Sequence, residues 1–154
     1  MSKNFDKITL ERLFFYSALD IKKGKCYNIN MKYETDIYYS SQNEPYEKLR
    51  GYVVDEPDFF CMGFFGEDYT FEVKSENGKV SVSRKGEQSY DITLSALPSV
   101  FSLSTPFGSL CYTTTLKDFS LEKKPNAYSL TLVYSLVDNS GHSQDNVLKM
   151  KGRV

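Results

Sequence analysis

Few side chains in this sequence have spacings that could do chemistry. Its one histidine, His142, sits in Asp138-Asn139-Ser140-Gly141-His142-Ser143, a run of turn-forming residues. A Ser-His-Asp triad needs a histidine oriented by a carboxylate beside a nucleophile, and a haem ligand must line a pocket. A turn tip offers neither. Asp138-x-Ser140-x-His142 also lacks the glycine and the distal glutamate of a calcium loop. The cysteines Cys26, Cys61 and Cys111 are odd in number, and no two stand at CxxC spacing. They suggest neither a zinc knuckle nor a disulfide framework. Carboxylates cluster at Asp55-Glu56-Pro57-Asp58 and at Glu67-Asp68. Both flank apolar runs and read as solvated loop tips, although a glycosidase pair would draw on the same residue type at a set separation. No GxGxxG or GxxxxGK[ST] phosphate loop occurs. Lys149, Lys151 and Arg153 alternate, the pattern of a solvated strand face or of edge protection. The expectation is no enzyme, no cofactor and no metal.

Two features point instead toward binding. Arg84 shares parity with Val80 and Val82, so it points inward if that strand runs far enough, as an anchor for a carboxylate or phosphate. Buried arginine is rare, which favours the other reading: the strand ends at Ser83 and Arg84 stands in a turn at the barrel mouth. Tyr33, Tyr112 and Tyr134 face the interior by parity with their aliphatic neighbours. Buried phenols need partners, and barrel mouths hold small ligands. Equally, the rings could simply fill a small barrel.

The elements that must position these residues are mostly strands. Residues 6–22 carry Leu10, Leu13, Phe14, Ala18 and Ile21 at helical spacing, and Lys22, Lys23 and Gly24 follow as C-terminal signals, so a helix is expected there. After Gly24 the period becomes two. Tyr27, Ile29, Met31, Tyr33, Thr35, Ile37 and Tyr39 alternate with polar residues in one long strand. A weaker strand is expected near Tyr46–Val54. Phe59 to Phe65 reads as a strand buried on both faces, with Gly63 a possible bulge. Asn77-Gly78 between alternating segments favours a type I′ hairpin turn. Lys85-Gly86-Glu87, Ala96-Leu97-Pro98, Thr105-Pro106-Phe107-Gly108, Lys124-Pro125-Asn126 and Asp138–Ser143 punctuate the rest. Phe107 is expected to cap one barrel end, and Phe119 and Leu121 to extend a strand past a kink at Asp118. About eight to ten strands at short, even intervals make an antiparallel meander, a barrel or a sandwich.

Composition agrees. The 154 residues amount to one domain, 40% hydrophobic and 25% charged, long enough for a core without disulfides. With 12 Tyr, 11 Phe and no Trp, the chain is 15% aromatic, a composition suited to pleated surfaces. A net charge of -1 argues against nucleic acid, which calls for a basic face. The longest N-terminal apolar stretch, Leu13–Leu19, is short and preceded by Asp6, Glu11 and Arg12. It reads as neither a signal peptide nor a membrane span. The cysteine usage and the lack of a sequon suggest the cytoplasm.

The C-terminal half carries a resemblance. Val80-x-Val82-x-Arg84-Lys85-Gly86 is followed by Thr105-Pro106-Phe107-Gly108-Ser109-Leu110, a Thr-rich strand, Leu132-x-Tyr134-x-Leu136 and Asn146-x-Leu148-x-Met150. This order and spacing, over residues 26–154, resemble the small bacterial YwiB-like family, a domain of unknown function grouped with the calycin barrels. The resemblance implies an all-β, antiparallel, lipocalin-like up-and-down barrel with no assigned activity and no catalytic residues. Calycins often pack a first-strand Trp on a basic residue near the last strand; here Tyr27 or Tyr33 would take that place. Residues 1–25 read as a helical extension and 26–154 as the barrel. The functional expectation is a non-enzymatic barrel holding a small apolar or amphipathic ligand, with Tyr33, Arg84, Tyr112 and Tyr134 as its site. The alternative is a structural or protein-interaction module with a filled core, using Phe14, Phe15 and Tyr16 as a partner surface or for self-association.

Overall fold

The structure is a computed structural model that describes residues 31–86 and 88–153. The expected helix over 6–22, the boundary near residue 25, Tyr27 and Cys26 lie outside the described residues. Ten strands follow one another: β1 Met31–Ser41, β2 Glu47–Glu56, β3 Phe59–Phe65, β4 Tyr69–Glu76, β5 Lys79–Gly86, β6 Tyr90–Leu94, β7 Ser99–Thr105, β8 Gly108–Lys124, β9 Ala127–Asp138 and β10 Ser143–Arg153. They form one antiparallel sheet in the order β6-β5-β4-β3-β2-β1-β10-β9-β8-β7. The first and last of the described strands, β1 and β10, pair, as at Ile37 with Gly152, so the meander curls into a near-closed barrel. Its seam falls between two strands consecutive in sequence, β6 and β7.

Backbone pairing is replaced at this seam by isolated contacts. The Leu116 amide donates to the Ser95 carbonyl at 2.8 Å, and the Ser99 hydroxyl donates to the Thr93 carbonyl at 3.4 Å. Toward the other end the rings of Tyr90 and Phe101 meet edge-on at 5.9 Å. Closing the sheet on itself covers edges that would otherwise template aggregation.

The turns follow their residue types. Asn77 and Gly78 take φ of 51° and 81°, the positive pair that a type I′ turn needs. Asp138 Oδ1 accepts from the amides of Ser140 and His142, both at 2.9 Å, which makes the His142 segment a self-contained surface turn. β8 bends where its pairing with β9 slips between Leu116 and Asp118, a one-residue bulge at the expected kink. Gly63 shows no bulge: β3 keeps its register with both neighbours through it. The glycine serves close approach instead, since a Cβ there would stand 2.7 Å from the Tyr52 hydroxyl and 2.8 Å from the Phe71 carbonyl.

The core is the inner face of the barrel. Ile37, Val53, Met62, Val73, Val82, Leu132 and Met150 are fully buried in its middle, each contributing about 1.5–3 kcal/mol by leaving water. Rings crowd the two ends. Phe107, expected to cap one of them, is 99% exposed at the tip of the β7–β8 hairpin. The Pro106-Phe107 turn projects past the sheet, where no strand can reach it.

Candidate functional site

Strand register defines two ends. Inward positions run from Phe60 through Met62 to Phe64 on β3, and from Ser75 through Val73 to Phe71 on β4. Val80 to Arg84 on β5 and Leu94 to Tyr90 on β6 run the same way. The end holding Phe60, Asp55 and Tyr128 is the base. The end holding Phe64, Phe71, Arg84 and Tyr90 is the mouth.

Arg84 is the pivotal residue of the mouth. β5 does not end at Ser83 but runs to Gly86, because β4 and β6 both continue to pair with it. Arg84 therefore keeps its inward parity, facing Phe71 on one side and Tyr90 on the other, and the turn reading is overturned. The residue is half-buried, and its guanidinium carbon lies 3.8 Å from the centre of the Tyr69 ring. Such stacking occupies the face of the guanidinium and directs its N–H donors sideways in the plane.

Tyr69 and Tyr90 flank this cation, and further rings pack beside them. Tyr39 from β1 packs on Phe64 at 4.8 Å and on Phe71 at 5.7 Å. Tyr69 meets Phe64 edge-on at 6.1 Å. Burial pushes the Tyr39 and Tyr90 hydroxyls above the ordinary tyrosine value, with Arg84 pulling Tyr90 partly back. Tyr134 is pushed up to about 12, chiefly by burial and then by Tyr90, while a bond to Asn146 opposes the shift. Tyr39, Tyr90 and Tyr134 therefore stay neutral across the physiological range. A cation flanked by tyrosines beside an apolar interior suits an anionic or strongly polar head group on an apolar body.

The base has the same residue types in a closed arrangement. Asp55 accepts from Lys123 Nζ at 2.7 Å and from the Tyr128 hydroxyl at 3.0 Å. Lys123 also stands 5.5 Å above the Phe60 ring. The carboxylate cluster read as loop tips thus divides: Asp55 is an inward structural acceptor, whereas Asp58, Glu67 and Asp68 are exposed.

The four residues expected to form one site are therefore split. Arg84 and Tyr134 lie at the mouth. Tyr112 is half-buried next to it, stacked on Phe101 at 6.3 Å. Tyr33 is at the base, with its ring 6.4 Å from that of Tyr128. Tyr39, Tyr69, Tyr90 and Asn146 complete the mouth and were missed. Parity alone marks the three tyrosines as inward, since each alternates with core residues. What the sequence lacked was the register that says which end each one occupies.

Among the described residues no cluster of three or more His, Cys, Asp or Glu side chains could hold a metal. Cys61 is buried, with its thiol 3.4 Å from Glu72, and Cys111 is half-buried. No helix among the described residues is long and apolar enough to cross a membrane.

These features define a class: a ten-stranded, near-closed antiparallel meander barrel with a cationic, tyrosine-lined mouth. No family model matches the chain, and no curated protein matches it. Among solved structures, the crystal structure of the YwiB protein from Bacillus subtilis is similar, with a TM-score of 0.61 and 15% identity over 83% of this chain and 98% of that one. That likeness carries the fold.

Proposed function

We propose that this protein is a non-enzymatic YwiB-like barrel that holds a small amphipathic molecule at its mouth. The head group, a carboxylate or phosphate, sits on Arg84 and the tyrosine hydroxyls, and the apolar part lies against Tyr39, Phe101 and Tyr112. One observation carries the reading: Arg84 projects from an inward strand position and stacks on Tyr69 at 3.8 Å. A guanidinium in that place suits a carboxylate or phosphate head group. The fully buried aliphatic middle of the barrel confines a ligand to the mouth. The motif order over 26–154, the meander and Tyr33 on β1 support a place among the calycin, lipocalin-like barrels. The odd number of cysteines and the lack of CxxC spacing support a cytoplasmic, reducing location.

A second reading is a protein-interaction module with a filled core. It is favoured by the β7–β8 hairpin, where Phe107 at 99%, Val100 at 76% and Leu110 at 46% exposure present apolar surface to solvent. Native mass spectrometry of gently purified protein separates the two. A stoichiometric extra mass that is lost on denaturation and absent from Arg84→Ala supports the mouth ligand. A bare chain, together with no saturable binding of anilinonaphthalene sulfonate, rejects it in favour of the module.

A further inference from the structure

The two strands that meet at the seam are guarded differently. β6 has five residues and carries the exposed Asp91; a short strand with a charge is the usual protection of an edge. β7 has seven residues and no charge. Residues 92–116 hold no Asp, Glu, Lys, Arg or His, in a chain that is 25% charged. Six large hydrophobic side chains are exposed among the described residues. Four of them, Leu97, Val100, Phe107 and Leu110, stand on β7, on β8 or in the turns beside them.

The upper part of β7 has no described strand on its open side, because β7 is the last strand of the sheet. Contacts across the seam hold Ser99, which donates to the Thr93 carbonyl, and the ring of Phe101, which meets Tyr90. β8 pairs with β9 only as far as Tyr112 with Asp138, so the hairpin from Leu103 to Leu110 rises past the rim. An edge strand turns the N–H and C=O of every second residue away from its neighbour. Such a row is completed by another strand.

The residue types along β7 say which strand fits. Phe101 packs against the core, so Leu103 shares its face, and Val100, Ser102 and Ser104 share the other. Leu103 stands opposite Leu110 of β8, and Ser102 opposite Cys111. Antiparallel pairing of residues 101–105 with a second copy, about a two-fold axis at Leu103, sets Leu103 against Leu103 and Ser102 against Ser104. Leu110 and Leu103 of both copies then form one apolar row across four strands. Serines meet on the opposite face, where cross-strand hydroxyl pairs are favourable. Pro106 and Phe107 of the second copy come beside Val100 and Ser99, next to Leu97. At a two-fold axis a strand faces its own residues, and like charges directly opposite are destabilising. A strand without charge meets that condition.

We propose that β7 is a self-complementary edge through which two copies of this chain join antiparallel into one continuous sheet. The pairing does not rest on the mouth ligand: it is read from particle mass, and the ligand from bound mass.

Sedimentation velocity of the full chain over a dilution series tests this. Twice the chain mass is expected at about 100 μM. Ser102→Lys/Ser104→Lys sets lysine against lysine at two places in the pair and should weaken association about tenfold or more. Ser102→Lys/Ser104→Glu sets lysine against glutamate there and should stay within about threefold of wild type. Both positions are exposed, so circular dichroism should report an unchanged fold. A single chain mass for the wild type at every concentration overturns the proposal. So does a dimer that the two variants weaken equally or leave intact, since its contact lies elsewhere. Leu103→Cys decides the matter if a lysine variant fails to fold. Mild oxidation should link position 103 of one copy to position 103 of the other, as read by peptide mass, and the absence of that link overturns the pairing.

Discussion

The two ends of the barrel hold nearly the same residue types and differ in how these are used. At the base, Lys123 and Tyr128 both donate to Asp55, and Lys123 stands over Phe60. Cation, phenol and carboxylate satisfy one another there, so the base is a plug. At the mouth, Arg84 lies on a ring face among Tyr39, Tyr69, Tyr90 and Tyr134. The Tyr69 ring sets the plane of the guanidinium there. The same residue types form a closed hydrogen-bonded set at one end and a stacked set at the other.

Breaking the base should cost the most. Tyr128→Ala removes a buried ring that packs on Phe60 at 5.5 Å and a hydrogen bond to Asp55. We expect a loss of about 3–5 kcal/mol in denaturant unfolding, as for large-to-small core changes. A loss under ~1 kcal/mol would mean that the plug is ornamental. Arg84→Ala at the mouth should do the reverse. Anilinonaphthalene sulfonate binding should weaken by about 10- to 100-fold, the worth of one charge-assisted contact. Melting should fall only by about 2–4 °C, because a half-buried cation–π contact contributes roughly 1 kcal/mol. Equal dye affinity in both proteins would remove the mouth as a site.

The titration limits sharpen the contrast further. Tyr134 has its value raised from 10.0 to about 12, so the unfolded chain loses that proton first. Stability should be intact below pH 10 and fall as pH rises from about 10 toward 12, and Tyr134→Phe should flatten this slope. Tyrosinate absorbance recorded beside circular dichroism tests it: tyrosinate forming at Tyr134 well before unfolding would contradict the burial.

The smallest effect belongs to the outer wall, outside both ends. Burial pushes the Glu72 carboxyl up, but bonds from Tyr52 and Cys61 and the Lys74 charge outweigh it and hold it below the ordinary 4.5. Its contribution is present above pH 4.5 and is lost as pH falls through the lowered value. Glu72→Gln should remove that part of the acid slope in a urea-midpoint series. An unchanged acid slope would mean that Glu72 is not held as described.

Much of the barrel was legible in strand periodicity. Parity along Tyr33–Tyr39, Tyr69–Val73, Val80–Val82 and Tyr128–Leu136 placed the core, because the side chains of a strand alternate between two faces whatever lies beside it. Asn77-Gly78 named its turn, and Phe59–Phe65 announced a strand buried on both faces, since such a run leaves no side for water. The wrong expectations lay where a neighbour decides. The rarity of buried arginine favours a turn at Arg84, yet β4 pairs with β5 as far as Gly86 and β6 still pairs at Arg84. Gly63 was a candidate bulge, but the Tyr52 ring explains it. Phe107 was given a barrel end that its turn cannot reach.

The sequence by itself therefore determined which side chains face inward and where the chain reverses. Both are local: the first follows from the two-residue period, the second from the φ that each turn residue tolerates. Tertiary structure alone decided that β1 closes on β10, that the seam falls at β6 and β7, and that Tyr33 is separated from Arg84 by the length of the barrel. These depend on register between strands distant in sequence, which many alternating sequences would allow and only mutual packing of the whole inner face selects.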